Sequence, residues 1–253
     1  MGRYLAAADR EAPGLVEGFH LVGSVALGAF REGSSDVDFV AVVPAPPGPA
    51  EVAALRRVHA GLRRRGLPRL DGFYVTARDL AGPASLAPRG PYVLDGRFSA
   101  AMREPHTPVT WHVLARHGVP VRGVIPRVHA DPAELAEWTR GNLRTYWRRW
   151  AARFSRPVCT PAGLLSLHPW STVWAVLGVP RLHATLATGG FVSKAAAGEY
   201  ALATFPERWH RVVREALRLH TRAGSRSLYP TPFHRRPDAA AFVTMVITDA
   251  DRL

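Results

Sequence analysis

The chain reads as an α+β protein: an N-terminal α/β domain built on a mixed sheet, then a C-terminal domain made only of helices. Three observations lead there. Short β-type runs alternate with helical stretches up to about residue 125. After Ile125 and Pro126 the β pattern stops and only helical periodicity follows. Finally, 47% of the 253 residues are apolar and 21% charged, which suffices to bury a core in each half.

Taken in order, residues 15–22 form the first expected strand, and Gly23 with Ser24 opens a turn. Residues 37–43 form a second strand and residues 72–76 a third, joined by a proline-rich connector at 44–49 and a basic amphipathic helix over 51–65. A helix over 107–117 closes at Gly118, read as its left-handed C′ residue. The boundary segment 122–131 separates a first domain, 1–125, from a second, 131–253. There, helices are expected over 132–154, with Asp131 as N-cap and Pro132 at N1, and over 171–187, stopped by Gly189 and Gly190. Further helices follow over 194–203, 207–220 and 238–250, with a long loop over 223–237.

Composition excludes several classes. No apolar run approaches the roughly 18 residues of a membrane span, and the polar N-terminus lacks a signal core, so a cytoplasmic protein without membrane contact is expected. One cysteine, Cys159, forms no internal disulfide and suits a buried apolar position. The formal charge of +13 suggests anionic partners, yet Lys194 is the one lysine among 33 cations. That arginine bias is what a GC-rich genome imposes whatever the function, and most of it reads as solvated surface.

The chemistry concentrates in two segments of the first domain. Gly23 lets a phosphate approach the backbone, and the Ser24 hydroxyl and nearby N–H groups bind it. Asp36 and Asp38 stand two apart at the start of an apolar strand, so their carboxylates share a face. Aspartate is depleted in strands and like charges repel, so the pair asks for a cation, and two hard oxygen donors suit Mg²⁺. Asp71 begins the third strand, beside the Asp36/Asp38 strand, where a carboxylate serves as general base or completes the metal site. The competing readings are a polar turn at 34–36 and an ordinary turn aspartate before Gly72.

A Gly-Ser turn, an Asp-x-Asp and a third acid on a neighbouring strand resemble the nucleotidyltransferase superfamily signature. From Val173 through Arg181, Gly189, Lys194 and Glu199 to Glu215, the second half resembles the helical domain of the aminoglycoside adenylyltransferases that modify streptomycin and spectinomycin. The resemblance implies Mg²⁺ held by Asp36, Asp38 and Asp71, with Asp71, usually glutamate in that family, as catalytic base. It implies a nucleotide, ATP by family, bound through Gly23, Ser24, Ser35, Arg181 and Lys194. The acceptor it implies is a small hydroxylated molecule of the aminoglycoside class. The residues support the two cations separately. Arg181 is the only formally charged residue from 157 to 193, and a buried guanidinium needs an anion. Lys194 follows Ser193 at a helix start, where the macrodipole disfavours a cation unless an anion is shared.

Two other destinations remain open: the same chemistry directed at a protein or an RNA end, which the +13 charge favours, and a nucleotide- or nucleic-acid-binding module without turnover, against which the intact acid set argues. The acceptor side departs from the family. Streptomycin-modifying members carry acids just ahead of the Arg181-bearing helix, whereas residues 165–172 here contain no carboxylate. A less cationic acceptor is therefore expected, lined by His168 and Trp170, with Trp170 as plain core packing the alternative. Asp95 or Glu104 of the first domain are possible substitutes for the missing acids.

Overall fold

The computed structural model describes residues 1–33, 35–64, 69–222, 224 and 226–253. It divides into two compact units, Met1–Asp131 and Pro132–Leu253.

In the first unit, α1 (Gly2–Glu11) precedes β1 (Gly18–Leu21), the short α2 (Gly23–Ala26), β2 (Val37–Val43), α3 (Pro49–Arg64) and β3 (Leu70–Thr76). Then come α4 (Ala77–Leu80), β4 (Tyr92–Leu94), β5 (Arg97–Ser99), α5 (Pro108–His117) and β6 (Val119–Arg122). The six strands form one sheet in the order β5-β4-β3-β2-β1-β6. Among the described residues β2 and β3 run parallel and the other neighbouring pairs antiparallel, so the sheet is mixed. Strand alternation sends Val37, Phe39, Ala41 and Val43 into a core with Tyr4 of α1 and Leu55, Val58 and Leu62 of α3. Within it the Tyr74 hydroxyl lies 2.7 Å from both the Tyr4 hydroxyl and His59 Nε2, so the buried polar groups satisfy one another. The alternate positions Asp38 and Asp71 fall on the opposite face, at the same level of adjacent strands, since Asp38 pairs with Asp71 in register.

The second unit contains α6 (Pro132–Asn142), a π-helical turn (Leu143–Trp147), α7 (Arg148–Phe154), α8 (Pro161–Leu167), α9 (Pro169–Thr188) and α10 (Lys194–Thr204). A 3₁₀ turn (Glu207–Trp209), α11 (His210–Thr221) and α12 (Pro232–Ala250) complete it. Trp147, Trp150, Leu177, Val213, Phe242 and Val246 lie in its core. Gly178 sits inside α9, a position that costs about 1 kcal/mol relative to alanine. A Cβ there would collide with the Trp147 ring, so the glycine is what admits the indole. Glu215 of α11 is fully buried and receives two 2.8 Å bonds from Arg218, one from the Ser227 hydroxyl and one from Leu228 N–H. The same acid lies 3.7 Å from Arg235 of α12, so one carboxylate ties α11, the 227–229 segment and α12 together.

Several expectations need correction. Cys159 is exposed, not buried, because it lies in the turn between α7 and α8 rather than on a packed face. Gly118 is extended (φ −52°, ψ 135°), not left-handed; its lack of a side chain matters because a Cβ would collide with the carbonyl oxygen of Leu114. The expected loop over 223–237 ends early: α12 begins at Pro232, after the N-cap Thr231, and carries Pro237 inside it. Buried Arg235, whose Nη2 donates to the Leu167 carbonyl at 2.8 Å, anchors that first turn against a break the proline alone would suggest. Ala223 of that loop, and Arg65 at the end of the expected 51–65 helix, lie outside the described residues. Helices α1, α4 and α8 and strands β4, β5 and β6 were not expected from the sequence, whereas the short helix opened by Gly23 and Ser24 is α2. Among the described residues no single helix is long and apolar enough to cross a membrane.

Candidate active site

The site begins where β1 meets α2. Gly23 has φ +57°, a left-handed backbone that glycine adopts without steric cost, and a Cβ there would run into the Asp38 carboxylate. The Val22 N–H donates to the Asp38 carbonyl at 3.0 Å, which fixes the turn beside β2. The Ser24 hydroxyl oxygen is buried and has no hydrogen-bond partner among the described residues, a cost the fold leaves standing for a ligand oxygen to offset. Ser35, by contrast, is used locally: its hydroxyl accepts from the Arg31 N–H at 3.1 Å, and its own N–H donates to the Arg31 carbonyl at 2.8 Å. Its neighbour Ser34 lies outside the described residues.

Asp71 lies within β3, the second residue of the strand, not in a turn. Gly72 after it is flat against Phe39, where a Cβ would meet that residue's backbone oxygen and ring. Burial pushes the Asp71 carboxyl up to about 6, opposed by the Gly96 N–H and reinforced by the charges of Asp36 and Asp95. Asp36 precedes β2, and its Oδ1 receives the Arg69 Nε at 2.7 Å.

The sequence named Asp36, Asp38 and Asp71 as the metal set. The carboxylates whose oxygens all come within 4.8 Å of one another are Asp36, Asp71 and Asp95. Asp38 keeps its place in register beside Asp71 but turns its carboxylate to Gly23. Asp95 had been weighed only as an acceptor-side acid; it enters the cluster because Leu94 pairs with Arg97, leaving Asp95-Gly96 as a two-residue hairpin turn. Both turn residues have positive φ, 52° and 67°, as a type I′ turn requires. The Asp-Gly dipeptide between short β-type runs was the available signal.

In the second unit, Arg181 on α9 is half-buried rather than buried, and its Nε donates to the Val192 carbonyl at 3.1 Å. That bond brings Arg181 to the loop before α10, at a residue two positions ahead of Lys194. Lys194 opens α10 behind the N-cap Ser193, whose hydroxyl accepts from Ala196 N–H, and its Nζ lies 5.5 Å from the centre of the Trp174 ring. Trp174 stacks on Trp170 at 5.5 Å and 13°. Trp170 is 48% exposed, which removes the core-packing reading. His168 is the N-cap of α9, its Nδ1 accepting from the Trp170 N–H at 3.1 Å, so only its Nε2 remains for a ligand.

Two family models match the chain: the nucleotidyltransferase domain over residues 3–67 and the aminoglycoside adenylyltransferase C-terminal domain over residues 159–246. No curated protein matches it in sequence. Among solved structures, the spectinomycin adenyltransferase AAD(9) of Enterococcus faecialis, crystallised with ATP and spectinomycin, is similar with a TM-score of 0.69 and 10% identity. The alignment covers 99% of this chain and 97% of that one, a likeness of fold along the whole length. With a nucleotidyltransferase model on its sheet unit and an adenylyltransferase model on its helical unit, the chain is an aminoglycoside adenylyltransferase-like nucleotidyltransferase, an enzyme that transfers nucleotidyl groups.

Proposed function

We propose that the chain transfers the nucleoside monophosphate of ATP to a hydroxyl of a small acceptor of the aminoglycoside type, and that it depends on Mg²⁺. The observation that carries the reading is the juxtaposition, on adjacent strands, of a carboxylate cluster and a tight glycine turn bearing a buried, unpartnered serine hydroxyl. Hard carboxylate oxygens in excess of local cations are a donor set for Mg²⁺, so the residues fit the group. When bound, Mg²⁺ supplies positive charge against the phosphate oxygens. Asp36, Asp38 and Asp71 are the residues proposed to hold it.

The chain's own groups do the rest. Gly23 lets the polyphosphate approach the backbone and Ser24 donates its hydroxyl hydrogen to a phosphate oxygen. Asp71, with its carboxyl raised to about 6, is ionised at neutral pH yet more basic than an ordinary aspartate, which suits a group that accepts the acceptor's hydroxyl proton. The acceptor oxygen then bonds to the α-phosphorus as the α–β anhydride bond breaks, and pyrophosphate leaves with that electron pair. Arg181 and Lys194 are proposed to bind phosphate oxygens and stabilise the leaving charge. Trp170 is proposed to offer its exposed ring face to the acceptor, with His168 Nε2 beside it as a polar contact.

The test is pyrophosphate release from each nucleoside triphosphate with Mg²⁺, against a panel of aminoglycosides and an RNA. Release with ATP that needs an aminoglycoside supports the reading. Release only with RNA moves the acceptor to nucleic acid, and no release with any pairing overturns the proposal.

A further inference from the structure

We propose that the β4–β5 hairpin supplies a further ligand for the divalent cation: Asp95, at the hairpin turn, adds its carboxylate to those of Asp36, Asp38 and Asp71. The inference rests on the nucleotidyl-transfer reading and adds a residue to it. Oxygens of the three acids lie within 4.8 Å of one another. Opposite donors on a hexacoordinate Mg²⁺ are about 4.2 Å apart, twice its oxygen distance, so small side-chain rotations bring all three onto one ion. Left alone, three carboxylates at this spacing repel. Arg69 offers one guanidinium, already set on Asp36 Oδ1 at 2.7 Å and itself exposed, against three negative charges.

The hairpin is held where this role needs it. Gly72 and Phe73 of β3 pair with Val93 and Tyr92, which carries the turn to the level of Asp71. The Gly96 N–H donates to Asp71 Oδ1 at 3.3 Å. On β5, Phe98 stacks on His59 of α3 with ring centres 5.7 Å apart, and the Arg56 guanidinium lies 5.5 Å from the same ring. Asp95 is thus presented by a short turn pinned at both ends. Its exposure leaves the outer side of the site open to water or to phosphate oxygens.

Asp95→Asn is a clean probe, because Asn-Gly is as well suited as Asp-Gly to a type I′ turn and the change removes charge while keeping the hairpin. Mn²⁺ binding to the full chain, followed by electron paramagnetic resonance without nucleotide and without acceptor, reads the site directly. Asp95→Asn should weaken Mn²⁺ affinity by about tenfold, and Asp95→Glu should stay within about threefold of the parent. Unchanged Mn²⁺ affinity in Asp95→Asn overturns the inference, as does an effect confined to the acceptor's KM. Asp36→Asn and Asp71→Asn separate this from failure of the broader reading. If they lose Mn²⁺ while Asp95→Asn does not, only the hairpin's role fails. If all three bind as the parent does, or the parent binds no Mn²⁺, the metal reading itself falls.

Discussion

Two carboxylates, one in each unit, are desolvated by the fold and answer in opposite directions. Burial pushes Asp71 of β3 up to about 6, and the backbone N–H groups of Gly96 and Asp95 do not compensate in the presence of the Asp36 and Asp95 charges. Burial also pushes Glu215 of α11 upward, but Arg218, Leu228 N–H and Ser227 more than reverse it and hold the carboxyl down at about 2. The difference lies in the donors supplied, since both acids lose water. Where the chain brings its own guanidinium and N–H groups, the carboxylate is structural. Where it gathers further acids, the deficit of positive charge is left for a ligand.

The acids carry the largest expected effects. Asp71→Asn should lower nucleotidyl transfer by about 10⁴-fold, and Asp38→Asn should also abolish it with the fold intact. Removing the Asp71 charge should stabilise the metal-free protein at neutral pH. A folded-state pKa raised from 3.8 to about 6 means the ionised form costs stability; that cost is absent below 3.8 and full above about 6. The gain in melting temperature of Asp71→Asn should therefore appear above about pH 6 and vanish toward pH 4. Melting curves across that range check it, and a loss of stability at pH 7.5 would make Asp71 a structural acid like Glu215.

Glu215→Gln should do the reverse. Losing the anion that Arg218 and Arg235 face should cost about 3–5 kcal/mol in urea unfolding, with turnover per folded molecule unchanged. The parent's share of stability from this acid is full above 4.5 and is lost as pH falls through about 2. A variant that folds equally well but turns over slowly would move Glu215 into the site.

A smaller effect is expected from the cations. Arg181→Ala and Lys194→Ala should each weaken nucleotide affinity by about tenfold, with the double variant less than additive if both meet one polyphosphate. Calorimetric titration with ATP decides; unaltered affinity in both variants removes them from the site. The smallest concerns the acceptor. Trp170→Ala should raise the acceptor's KM severalfold with little change in melting temperature, since the ring is half exposed. With no carboxylate in residues 165–172, streptomycin should turn over only at millimolar concentration. A micromolar KM for streptomycin would show that acids elsewhere replace them.

The features legible in the linear chain are those that depend on near neighbours. The apolar run of 37–43 is β2 to the residue, the Gly23-Ser24 turn is there with its left-handed glycine, Ser193 caps α10, and Gly189 stops α9 at φ +67°. Each of these is decided by backbone sterics or a hydrogen bond spanning a few residues, so a local pattern records it. Only the tertiary structure decided which acids meet. Asp38 and Asp36 are two residues apart, yet Asp71 gathers Asp36 and Asp95 instead, because strand register and the turn after three-residue strands place them. Three residues carry too little alternation to announce a strand. The same holds for exposed Cys159, for Trp170 on the surface and for Arg235 buried beside Glu215. Whether a side chain meets water, a partner or another charge depends on residues tens of positions away, and that information exists only once the chain has packed.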